Sequence, residues 1–210
     1  MEHRTKKTEQ HAAPQGLWAR TAQSISHIAN PLFVAIPTFL LVALKTAPSI
    51  SQAFLWWGVI VIGISVAPFL FVWRGVRRGN FTDSLLSMRE QRIGPMLFGL
   101  ACASAVFLAL YLLGASRALM VTILTILVGG MITLLITRYW KISLHLVGMT
   151  GSVTVLTLVY GPLFLLLSPL IPLIGWARWY VHAHTFFQAL AGSTLAVSIT
   201  LTLFWLFGLL

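Results

Sequence analysis

Two short polar stretches interrupt an otherwise apolar chain. The first is Lys141-Ile142-Ser143-Leu144-His145; the second is Arg178, five residues, His184, three residues, then Gln188. Together they form a set suited to an anionic oxygen ligand. Guanidinium and ammonium groups neutralise such a ligand through charge-assisted hydrogen bonds, and an imidazole gives or takes a proton near neutral pH. Lys141 and His145 are i,i+4, as are His184 and Gln188, so each pair shares a face on any helix that begins there. Taken singly, Lys141, Ser143 or Arg178 has a plain alternative as an interfacial anchor, because Trp140, Trp176, Trp179 and Tyr180 lie beside them. Histidines entering membrane-length apolar segments are costly and usually functional, which gives His145 and His184 more weight.

In register, these stretches resemble the second and third signature motifs of the type 2 phosphatidic acid phosphatase superfamily, Pro-Ser-Gly-His and Ser-Arg-x5-His-x3-Asp. Ser143, His145, Arg178 and His184 match, whereas Ile142, Leu144, Ala177 and Gln188 stand where the family has Pro, Gly, Ser and Asp. Gly192 falls where the family continues into a Gly-rich helix. The resemblance covers about residues 137–195. It implies an all-α, polytopic membrane bundle that hydrolyses a lipid phosphate or isoprenoid (di)phosphate with no metal or other cofactor. It further implies that His184 attacks phosphorus to form a phosphohistidine and that His145 protonates the leaving alkoxide. Arg178, Lys141 and Ser143 would hold the non-bridging oxygens and stabilise the charge of the transition state. Gln188 then replaces the acid that orients the nucleophile: its amide oxygen can fix the tautomer but has no charge to stabilise an imidazolium. The alternative reading is a non-hydrolytic member of the same superfamily that binds or moves a lipid phosphate.

The family's opening motif, Lys-x6-Arg-Pro, is absent. Its nearest substitute is the pair Arg89 and Arg92 ahead of Pro95, with Arg138 a second candidate. A helix beginning at Thr82 or Asp83 would point both arginines into one site, while contact with lipid phosphates is the plain reading of the same pair. Asp83 and Glu90 are the acids outside the N-terminal tail. With Ser87 they follow helical spacing, and either acid could supply the missing carboxylate or simply pair with an arginine. His182 and His184 would point to different helix faces, and no cysteine or carboxylate accompanies them, which argues against a metal clamp. His27 reads as interfacial. A haem-bearing bundle, with histidines on facing spans as axial ligands, is a third reading.

The elements that must position these residues are membrane helices. Apolar residues make up 58% of the chain and charged residues 9%, too little charge to coat a soluble globule of this size. The net charge is +10, but the basic residues lie between apolar stretches rather than along one exposed face, which argues against nucleic acid and for anionic headgroups or a phosphate substrate. Apolar runs at about 28–46, 55–73, 96–114 and 119–137 each match a bilayer crossing. Asn30-Pro31 suits the start of the first. Gly161-Pro162 divides the next region into two short crossings, about 144–160 and 162–176, and a last span covers about 181–208, for six or seven in all. Two crossings between the motifs return the chain to the side it left and place His145 and His184 at one membrane face. Residues 1–25 read as a polar, basic, partly disordered tail with no apolar core suited to a cleavable signal, and 26–210 as one transmembrane domain. Arg4, Lys6, Lys7, Arg20, Arg74, Arg77 and Arg78 against Lys45 and Arg117 put the N-terminus and the site on the cytoplasmic side. The single cysteine, Cys102, lies within an apolar run and cannot form an intrachain disulfide.

Overall fold

Helix boundaries follow local chemistry in the computed structural model, which describes residues 16–86 and 88–210. Among those residues 81% are helical and no strand occurs. Residues 1–15 of the expected tail, and Ser87, lie outside that description. The remainder of the tail is not a coil. Leu17–Ile28 forms helix α1, burying Ala19, Ala22 and Ser26 against a later helix, where Trp18 meets Trp176 edge-on at 6.2 Å. Asn30 then opens α2 (Pro31–Thr46), its side-chain oxygen accepting from Leu32 N at 3.0 Å. Pro31 costs nothing there because the first helical N–H has no intrahelical partner. α1 and α2 meet at a 49° bend.

Ser49 caps α3 (Ile50–Ile60), which widens into a π-helical stretch at Val61–Val66 and continues as α4 (Ala67–Arg77). The wide turn lies just ahead of Pro68, whose ring would crowd the carbonyl four residues back in a regular helix. A 3-10 turn at Arg89–Arg92 leads into α5 (Ile93–Leu112), and Ser116 caps α6 (Arg117–Tyr139). α7 spans Leu144–Tyr160 and stops at Gly161, whose φ of +102° favours glycine. Pro162–Leu167 forms a second 3-10 segment before α8 (Leu170–Tyr180), and α9 covers Phe186–Leu206. The expected break at Gly161-Pro162 is therefore present.

Among the described residues, five helical segments are long and apolar enough to cross a membrane, or six if the bent α1–α2 pair is one span. α7, at 17 residues, is a shorter apolar helix. This is consistent with an integral membrane protein. α7 packs most extensively on α9 and α2, and α5 on α6. The main apolar core sits at one end of the bundle, where Val42, Trp56, Leu110, Leu119, Leu156 and Phe204 are buried. The other end holds the N-termini of α7 and α9 and the C-terminus of α8, and it is there that buried charge collects.

Candidate functional site

The spacing between Arg178 and His184 has a backbone explanation. α8 ends in a Schellman turn: Ala183 N donates to Arg178 O at 3.0 Å and His182 N to Trp179 O at 2.9 Å. His182 occupies the left-handed position usually given to glycine, with φ +52°. Two residues on, His184 returns its own N–H to Arg178 O at 3.2 Å. An arginine on the last turn of a helix is thereby fastened to a histidine that leads into the next helix.

α9 begins with a capping box, a Thr185-x-x-Gln188 pattern visible in the sequence but unread there. Thr185 Oγ1 accepts from Gln188 N at 3.3 Å, and Gln188 Oε1 accepts from Thr185 N at 3.1 Å. That second bond fixes which end of the amide faces inward. Gln188 Oε1 also lies 3.1 Å from His184 Nδ1, so Nδ1 must be the donor and the lone pair of the neutral ring falls on Nε2. Burial pushes the His184 imidazole down to about 2, and the positive charges of Arg92, Arg178 and Lys141 push the same way. The ring is neutral across the physiological range.

The other motif reaches the same place. After α6 the chain runs extended through Trp140 to Ser143, and Ser143 N donates to Gln188 O at 3.3 Å. Gly192 permits this closeness, because a Cβ there would lie 2.8 Å from Ser143 O. His145 and His184 therefore share one end of the bundle, as the two-crossing reading requires. His145 is buried in the first turn of α7, with Nε2 3.0 Å from Ser26 O of α1. A carbonyl only accepts, so Nε2 carries the proton and is turned toward α1, leaving Nδ1 as its other ring nitrogen. No sequence signal marks a backbone carbonyl as a histidine's partner.

The cations divide into two groups. Arg178 and Arg92 are 1% and 2% exposed, as buried as the apolar core. Burial pushes the Lys141 ammonium down to about 8, with the charges of Arg92 and Arg178 adding to the effect. Arg178 Nε and Ser143 Oγ are buried without a hydrogen-bond partner among the described residues. Two unpaired donors beside several buried positive charges are expensive unless an anion meets them.

The arginine pair requires a correction. No helix starts at Thr82 or Asp83; residues 78–86 form turns and bends, and Arg89 and Arg92 do not point into one site, Arg92 being buried and Arg89 exposed. Arg92 turns inward, its Nε donating to Leu86 O at 2.8 Å and its Nη1 to Ile142 O at 3.2 Å. Arg89 stays at the surface, bonded to Tyr139 O at 3.0 Å and paired with exposed Glu90 at 3.4 Å. Arg138 is exposed. The Asp83 carboxylate caps its own turn by accepting from Leu85 N at 2.8 Å, and its charge favours protonated Lys141. The group bonded to His184 is Gln188.

An apolar cleft of about 420 Å³ leads away from Arg92 and His145 between α2, α4, α5 and α6, passing Leu32, Phe69, Met96 and Leu100. Such a volume suits a ligand of small-molecule size. Comparison with family models, curated proteins and solved structures found no match for this chain.

Proposed function

We propose that the protein is a metal-independent membrane phosphatase that hydrolyses a lipid phosphate or isoprenoid (di)phosphate through a phosphohistidine at His184. The observation that carries this reading is a neutral His184, tethered at Nδ1 by Gln188, beside buried cations and two unpaired donors, Arg178 Nε and Ser143 Oγ. Nε2 holds a free lone pair, and the positive surroundings suit a phosphate group. The resemblance of Ser143, His145, Arg178 and His184 to the type 2 phosphatidic acid phosphatase motifs supports the same reading. So does the apolar cleft at Arg92 and His145, which offers room for an apolar tail beside Arg92.

In this mechanism His184 Nε2 attacks phosphorus opposite the leaving oxygen. The P–O bond to the lipid breaks, and that oxygen takes a proton from His145. Because His145 Nε2–H is committed to Ser26 O, His145 must enter this step as the imidazolium, protonated at Nδ1 as well, and Nδ1 is the atom that delivers the proton. Water then attacks the phosphohistidine and gives a proton back to His145, and the P–N bond breaks to release phosphate and restore His184. Arg178, Arg92, Lys141 and Ser143 hold the non-bridging oxygens. Arg89 lies on the surface and is assigned no contact with substrate. On the charge asymmetry of the loops, the site and N-terminus face the cytoplasm.

One observation favours a second reading, a non-hydrolytic protein that binds or moves a lipid phosphate. Gln188 completes a capping box, which is reason enough for its presence without catalysis. The deciding experiment is phosphate release from lipid phosphates and prenyl diphosphates in detergent with EDTA, together with trapping of an acid-labile phosphoenzyme. Turnover that disappears in His184→Ala supports the phosphatase. Binding of lipid phosphate with no turnover and no phosphoenzyme selects the second reading.

A further inference from the structure

α4 has a second face. Opposite the cleft that ends at His145, a separate one of about 500 Å³ opens where α4 terminates, lined on its apolar side by Ala67, Leu70, Phe71 and Phe98 and at its rim by Arg74, Arg78 and Asn80. The turn after α4 builds it. Gly79 takes the left-handed conformation with φ +73°, and Asn80 N and Phe81 N return to Gly75 O at 2.9 and 3.3 Å. This folds the Phe81 ring back over Gly75, where any Cβ would occupy the ring's place. Phe71 stacks on Phe98 at 4.4 Å and lies 6.2 Å from Phe81, so the aromatic walls are braced by α4, α5 and the turn together.

The cleft is amphiphilic along its length. From Ala67 to Arg78 the helix climbs roughly 16 Å, so its two ends differ in surroundings: apolar side chains at one, two guanidiniums and an amide at the other. We propose that this cleft binds one anionic phospholipid, its phosphate held by Arg74 and Arg78 and one acyl chain lying along Ala67, Leu70 and Phe98. Guanidinium pairs bind phosphate oxygens in a fixed geometry, and the aromatic walls exclude water from the chain. This site shares no lining residue with the cleft at His145 and does not depend on the phosphatase reading.

Arginines at a helix end also attract anionic lipid diffusely, without a site. Arg77 separates the two cases. It belongs to the same cluster and carries the same charge, but it stacks on Trp73 at 4.0 Å and does not line the cleft. The experiment uses the full chain in phosphatidylcholine nanodiscs containing phosphatidylglycerol, with lipid retained after transfer to detergent counted by native mass spectrometry. Wild type and Arg77→Gln should each retain one phosphatidylglycerol. The exposed double change Arg74→Gln/Arg78→Gln should retain none, and Ala67→Trp, which fills the apolar end with both arginines intact, should also lose it. Equal loss in Arg77→Gln, retention in the double variant or in Ala67→Trp, or complete displacement by inorganic phosphate alone would overturn the proposal; the last would mean a free-phosphate site.

Discussion

A neutral imidazole with a defined tautomer is the main product of the residues around His184. Gln188 supplies it with one oxygen that accepts from both Thr185 N and His184 Nδ1. An aspartate would add charge at the cost of reach, being one methylene shorter, whereas glutamate keeps the length. Gln188→Glu should therefore raise turnover by stabilising the imidazolium that forms as Nε2 bonds to phosphorus, and should hold the capping box. Gln188→Asp should gain less and melt at lower temperature; steady-state kinetics and thermal melts of the three proteins check this. Protonation gives two further expectations. Lys141 is pushed down to about 8, so the free protein loses this cation above that pH, and on the phosphatase reading kcat/KM should fall there. In Lys141→Arg the charge persists and the alkaline limb should move up. His184 falls from an ordinary 6.5 to about 2, so the folded chain binds fewer protons than the unfolded one between those values. Stability should be full above about 6.5 and be lost as pH falls, and His184→Asn should flatten that loss in melts across the acid range.

Helix ends do the positioning. The Schellman turn after α8 explains why six positions separate Arg178 from His184, and the close approach of α9 to α7 explains why Ser143 meets Gln188. Gly192 is the contact on which this depends. Gly192→Ala should push backbone against backbone, costing about 1–3 kcal/mol as overpacking does. It should also lower kcat more than substrate affinity, because Ser143 and His184 separate while Arg178 keeps its place on α8. Melting temperature and a kcat-against-KM comparison test both parts. Much of this was legible in advance: Asn30-Pro31, the Gly161-Pro162 break and the meeting of both motifs at one end follow from rules of one or two residues. The loop before α5 was not. The i,i+3 spacing of Arg89 and Arg92 suggests a shared helix face, but no helix precedes them, and hydrogen bonds to Leu86 O and Ile142 O hold Arg92 inward while Tyr139 O holds Arg89 at the surface. The role of α1 was illegible for a different reason. Its contact with His145 is through the Ser26 carbonyl, which every residue type would present alike.

Across the whole molecule, rigidity and charge are segregated. Apolar packing concentrates at the end formed by Val42, Leu110, Leu119 and Phe204, while the opposite end buries Arg92, Arg178, His145 and His184. Buried cations and unpaired donors destabilise the end that holds them, so the packed end must carry much of the bundle's cohesion. Between helices in a bilayer that cohesion comes from close contact rather than from water exclusion, since lipid tails are as apolar as leucine. A void at the packed end should then cost stability without touching the proposed phosphate site. Phe204 is 1% exposed and sits near the C-terminal end of α9, far along the same helix from Gln188. Phe204→Ala should lower the melting temperature clearly, in line with the roughly 3–5 kcal/mol such a truncation costs in well-packed cores, while KM for a lipid phosphate stays at the wild-type value. A change in KM as large as that caused by Gly192→Ala would show instead that the two ends move together, and that the site is held by the packing of the whole bundle rather than by the helix ends around it.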